Sequence, residues 1–164
     1  MREINHIVVH CSATPEGKDY SIDTIRKWHT DRGWRDIGYH AVVYRNGEVH
    51  QGRRDNEIGA GVRGHNKHSI HLCYIGGVEK NKKNGKWIPK DTRTDEQKEA
   101  LIDLCHYYKN LHPKAEILGH RDFEGVTKDC PSFDAKSDYK VITDKFSHLD
   151  LQDEDSYIVI KGRD

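Results

Sequence analysis

His10 follows Ile7-Val8-Val9, His120 follows Ile117-Leu118-Gly119, and Cys130 stands in Lys128-Asp129-Cys130-Pro131-Ser132-Phe133-Asp134. Two imidazoles and one thiolate can hold a tetrahedral zinc with one position open, the arrangement of a catalytic rather than a structural site. The open position suits a water for hydrolysis. An amide carbonyl is a poor electrophile and water a poor nucleophile. A zinc that lowers the pKa of its water to ~7 and polarises the carbonyl addresses both. Taken singly, each residue also has an ordinary reading: a polar strand end for either histidine, a small buried apolar group for the cysteine.

These residues need elements to carry them. Ile4 to Val9 reads as a buried strand ending at His10. Ser21 can cap a helix whose Ile22, Ile25, Trp28 and His29 recur at helical spacing before Gly33 stops it. Tyr39 to Tyr44 is β-branched and aromatic, and Asn46-Gly47 supplies a tight turn before Val49 and Gln51, so the second and third strands are expected as antiparallel neighbours. Residues 52–67 carry glycines at 52, 59, 61 and 64 among charges and read as a long surface loop of the kind that lines grooves. Ser69 to Ile75 reads as a central strand. Thr94 and Gln97 form a capping box for a helix through Leu101, Leu104, Cys105, Tyr108 and Leu111, closed by Pro113. Glu116 to Gly119 is a short last strand delivering His120, and the loop through Lys128 returns Cys130 toward it. After Ser137 only Tyr157 to Ile160 carries a weak strand signal.

The chain has 164 residues, room for one domain with a working core. Its 27 basic and 27 acidic side chains balance, so nothing favours nucleic acid as a partner through phosphate neutralisation. Met1 to His6 shows no apolar signal segment, and no run approaches the ~18 apolar residues of a membrane span. The expectation is cytoplasmic synthesis without a signal peptide, no membrane insertion, and a monomer. In a reducing compartment the four cysteines read as free thiols, with Cys73 and Cys105 in the core and Cys11 pointing to the face of its strand opposite His10.

Nine segments run in order along the chain: His10-Cys11-Ser12-Ala13-Thr14, Trp28-His29, Gly33-Trp34, Ile37-Gly38-Tyr39-His40, Gly64-His65-Asn66, Ser69-Ile70, Gly76-Gly77, Gly119-His120-Arg121-Asp122 and Cys130-Pro131-Ser132-Phe133-Asp134. Together they make the sequence resemble the zinc-dependent N-acetylmuramoyl-L-alanine amidases of phages and bacteria, the phage lysozyme type in particular. The fold of that family is shared by animal peptidoglycan-recognition proteins. The resemblance spans about residues 4 to 135.

It implies a single α/β domain, a central mixed sheet flanked by helices, over residues 1–146, with 147–164 as a tail. It implies hydrolysis of the amide joining the lactyl group of N-acetylmuramic acid to L-alanine in peptidoglycan, with zinc on His10, His120 and Cys130. The implied setting is a phage or prophage endolysin that acts on the wall after release. Lys128 matches the family's catalytic lysine, a cation able to stabilise the anionic tetrahedral intermediate. Tyr39 matches a hydroxyl that orients the attacking water or helps move its proton. Gly64-His65-Asn66 matches a groove segment, so His65 and Asn66 are expected to bind muramyl peptide. Members of the recognition branch that lack the cysteine bind peptidoglycan without cutting it, so Cys130 favours an enzyme over a non-catalytic binding or regulatory module.

Two features stand apart. His65, His68 and His71 recur every third residue and form a rival metal cluster if the stretch is helical, but Gly64 and the β-rich run that follows make them diverge. Relatives commonly have Ser-Ile-Gly where this chain has Ser69-Ile70-His71, placing a bulky imidazole where glycine allows close approach and putting substrate fit there in question.

Overall fold

The protein is described by a computed structural model covering residues 1–146. The weak strand signal at residues 157–160 lies outside the described residues. In chain order the elements are β1 (His6–Cys11), β2 (Thr14–Pro15), α1 (Ile22–Asp31), β3 (Ala41–Val43), β4 (Val49–Gln51), β5 (Ser69–Tyr74), β6 (Gly77–Val78), α2 (Asp95–Leu111), β7 (Glu116–Gly119), α3 (Ala135–Asp138) and α4 (Lys140–Phe146). The central sheet has the order β4-β3-β5-β1-β7, while β2 and β6 form a separate parallel pair. Strands β3, β5, β1 and β7 run parallel and β4 antiparallel to β3, a mixed sheet as expected.

The hairpin chemistry accounts for the antiparallel edge. Gly47 takes a positive φ of 88°, a conformation that costs a side chain, and Tyr44 N–H donates to the Glu48 carbonyl to close the turn. The helix starts follow the local signals. Ser21 accepts from the Thr24 N–H, and Thr94 and Gln97 exchange both bonds of a capping box, satisfying N–H groups that have no partner within the helix.

Helix α2 lies on one face of the sheet, where Leu101, Leu104, Cys105 and Tyr108 are fully buried against Ile7, Val9, Ile70 and Leu72. Helix α1 covers part of the opposite face through Ile25, packed with Ile37 and Val42.

Three expectations change. The first strand begins at His6 and runs through Cys11, because His10 and Cys11 pair with Cys73 and Tyr74 of the central strand. His10 is thus inside the strand rather than beyond its end. Residues 52–67 are not simply a surface loop: Arg53, Gly59 and Val62 are buried as the segment crosses the sheet. Helices α3 and α4, unanticipated from sequence, bring Ala135, Tyr139 and Ile142 into the main core beside β7.

Candidate metal centre

The C-terminal end of β1 and the segment after β7 meet because the two strands are parallel neighbours, with Val9 opposite Gly119. His10 points from β1 and is only 1% exposed. His120 opens a 3₁₀ turn directly after β7, held by the Gly119 N–H donating to the Asp122 carboxylate at 2.8 Å. The following loop is clamped shut where the Arg121 N–H donates to the Cys130 carbonyl at 2.8 Å. One donor atom from each of His10, His120 and Cys130 then lies within 4.8 Å of the others, and no other such group of three or more His, Cys, Asp or Glu residues occurs among the described residues.

The donor set fits a divalent metal. His10 Nδ1 and Cys130 Sγ are 3.8 Å apart, close to the ~3.6 Å edge of a tetrahedron with Zn–N and Zn–S bonds of ~2.0 and ~2.3 Å. Burial depresses the pKa of His10 well below the ordinary value, with His71, His120 and Lys128 adding to the effect. Burial and then Lys128 lower that of His120. Both imidazoles are therefore neutral, as ligands must be. The Cys130 thiol is pushed up, first by the hydrogen bond it shares with Cys11 and then by burial. A cation at this point would favour its thiolate, which the Cys11 backbone N–H already faces at 3.3 Å. The Cys11 side chain leaves the strand on the face opposite His10 and packs at the edge of the main core, where its thiol meets that of Cys130 and lies 3.8 Å from Ser132 Oγ.

Tyr39 sits just before β3, its ring 5.1 Å from that of His10 and 5.2 Å from that of His29. His29 on α1 accepts from the Gly38 N–H at 2.9 Å and so ties the helix to the approach of this tyrosine. Burial raises the phenol pKa, reinforced by Cys73, Cys130 and Cys11, so the hydroxyl keeps its proton and can donate. Lys128 is exposed on the rim. With His120, Trp34, Gly61, His65 and Asn66 it lines a cleft of ≈ 630 Å³. His65 and Asn66 thus lie on the same groove as the donor cluster, although the Asn66 carbonyl is occupied internally by the N–H groups of Gly61 and Val62, each at 2.9 Å.

A comparison with protein-family models matches residues 1–133 to the family described as N-acetylmuramoyl-L-alanine amidase. The chain belongs to this amidase family. Curated relatives of the amidase include the endolysin of Enterobacteria phage K11, 38% identical over 133 residues that make up 81% of this chain and 83% of the relative. The endolysin of Escherichia phage T7 is 35% identical over 131 residues, 79% of this chain and 82% of the relative. Among solved structures, the amidase LysC from Clostridium intestinale URNW superposes with a TM-score of 0.69 over 89% of this chain and 87% of its own, at 23% identity, a likeness of fold.

The rival histidine triplet of this amidase does not assemble. His65 precedes a 3₁₀ turn, His68 faces the Glu3 carbonyl at 2.9 Å, and His71 enters β5 and points inward. His71 is fully buried, with its Nδ1 2.8 Å from His10 Nε2, so it does not crowd the substrate cleft. Sequence reasoning missed this contact. The available signal was strand parity: His10 and His71 belong on one sheet face if Val8 lies opposite His71, as the parallel register places them.

Proposed function

We propose that this amidase cleaves peptidoglycan between the lactyl group of N-acetylmuramic acid and L-alanine, using a zinc held by His10 Nδ1, His120 and Cys130 Sγ. The observation that carries the reading is the convergence of these three donors, from three separate segments, beside a cleft bordered by Lys128. Bound there, zinc would supply a polarised water and Lewis acidity at the scissile carbonyl. The residues of the chain do the rest. Lys128 Nζ, exposed on the rim of the cleft, compensates the negative charge that develops on the carbonyl oxygen. Tyr39 Oη, held neutral, orients the attacking water by hydrogen bonding. His65 and the amide nitrogen side of Asn66 offer polar contacts to the muramyl peptide along the groove.

The K11 and T7 relatives are both endolysins, which supports a lytic role on the bacterial wall after release from the cell. Among the described residues no helix is long and apolar enough to cross a membrane. The test is mass spectrometry of soluble fragments from purified peptidoglycan digested by the protein, by a chelator-treated sample, and by that sample restored with zinc. Peptides carrying a free L-alanine amino terminus, lost with chelator and recovered with zinc, are expected. Sedimentation with peptidoglycan and no released peptide would instead mark a binding module, and fragments cut at another bond would overturn the substrate.

A further inference from the structure

The side chain of Asn66 can be oriented without ambiguity, because the backbone N–H groups of Gly61 and Val62 both reach one of its atoms at 2.9 Å and only the oxygen can accept them. His71 Nε2 lies 2.9 Å from that same oxygen and must therefore carry a hydrogen. His71 is fully buried and its two ring nitrogens face only an amide oxygen and another imidazole, so it carries the single N–H of a neutral ring and its Nδ1 is bare. That bare nitrogen is 2.8 Å from His10 Nε2, which must then be the donor. The consequence is that His10 presents an unprotonated Nδ1 on its other side, the side 3.8 Å from Cys130 Sγ.

The imidazole of His71 is also held in place. A Cβ added at Gly61 would lie 2.4 Å from His71 Nδ1, and one added at Gly59 would lie 2.9 Å from its Cδ2, so the ring fills space that only two glycines leave open. Its backbone N–H donates to His40 Nδ1 at 2.9 Å, and His40 Nε2 donates in turn to the Glu57 carbonyl at 2.9 Å. The loop over residues 52–67 thus both shelters the ring and orients it.

We propose that His71, oriented by Asn66, is a positioning residue for the metal centre, a hydrogen-bond acceptor that selects the His10 tautomer with Nδ1 free to coordinate. An imidazole ligand whose remote N–H has a fixed partner pays less to adopt the coordinating orientation and is a more basic donor. The inference rests on the reading of His10 as a ligand.

Imidazole nitrogen NMR of the zinc-free protein reads the His10 tautomer directly, and competition with a chelator of known affinity reads zinc binding. The wild type is expected to show His10 protonated at Nε2 before any metal is added. His71→Phe, which fills the same space without nitrogen, is expected to lose that tautomer preference and to weaken zinc binding by about 10–100-fold. His71→Gln, which still offers an acceptor and a donor, should recover most of the loss. A wild-type His10 protonated at Nδ1 overturns the proposal even if His71→Phe fails to fold, and so does zinc affinity unchanged in a folded His71→Phe. His10→Ala separates the underlying reading: if it holds zinc as tightly as the wild type, His10 is not a ligand, whatever its tautomer.

Discussion

One face of the central sheet presents Ile7 and Val9 of β1, Ile70 and Leu72 of β5, and Ala41 and Val43 of β3 to the apolar side of α2. The residues between them, on the same strands, present His10, His71 and Cys73 to the other face, with His40 stacked beside His71. The first face is packed for burial alone, each large aliphatic side chain contributing about 1.5–3 kcal/mol when removed from water. The second gives up part of that gain to keep neutral nitrogen and sulfur donors in a dry, oriented array. A period of two residues is sufficient to hold both surfaces on one set of strands, so stability and chemistry can be altered separately.

The sharpest way to break this comparison is Cys130→Ala. It is expected to abolish zinc retention and cleavage while leaving the urea midpoint of the zinc-free protein nearly unchanged. Full cleavage by a variant whose metal content has been analysed would remove Cys130 from the donor set.

Acid should act most strongly on the histidine face. His29 and His40 have pKa values lowered from 6.5 to about 4, chiefly by burial. Between those values the unfolded chain takes up protons that the native state does not, so native stability falls as pH drops from 6.5 toward 4. Urea midpoints of the zinc-free protein should decline across that window, and less so in His29→Gln. A midpoint constant down to pH ~5 would contradict the assignment.

Leu104→Ala strikes the apolar face, where Leu104 is fully buried. A loss of about 2–5 kcal/mol in unfolding free energy is expected, with the activity of the molecules that stay folded preserved. A specific activity that falls in step with stability would show that the two faces are coupled.

Lys128→Ala should do the reverse. Its side chain is exposed, so thermal stability and zinc content should hold while kcat drops by roughly 10²–10³-fold. An unchanged rate would take Lys128 out of the catalytic set.

Much of this was legible in local signals. Ser21 and Thr94 mark helix starts because a hydroxyl can accept the N–H groups that a helix leaves unpaired, and Asn46-Gly47 marks a turn because glycine takes a positive φ without strain. His10 and His120 are zinc-ligand types at the ends of apolar runs, Cys130 is one in a Cys-Pro loop, and the structure brings the three together. Helices α3 and α4 escaped notice because they are short and take their stability from packing Ala135, Tyr139 and Ile142 on the core rather than from a long periodic pattern. As a departure from glycine, His71 puts substrate fit in question from sequence alone, whereas in the fold its ring is buried against His10.

By itself, the sequence determined the donor chemistry, the alternation that separates apolar from polar positions, and the caps and turns that bound the elements. These depend on residues within a few positions of one another. Only the tertiary structure decided which distant side chains meet. His10 and His71 are 61 positions apart, and Asn66 reaches three donors from two segments. Their contact depends on the register of two parallel strands joined by a long crossover. No local preference records that register, because hydrogen bonds and side-chain packing set it only when β1 and β5 come together.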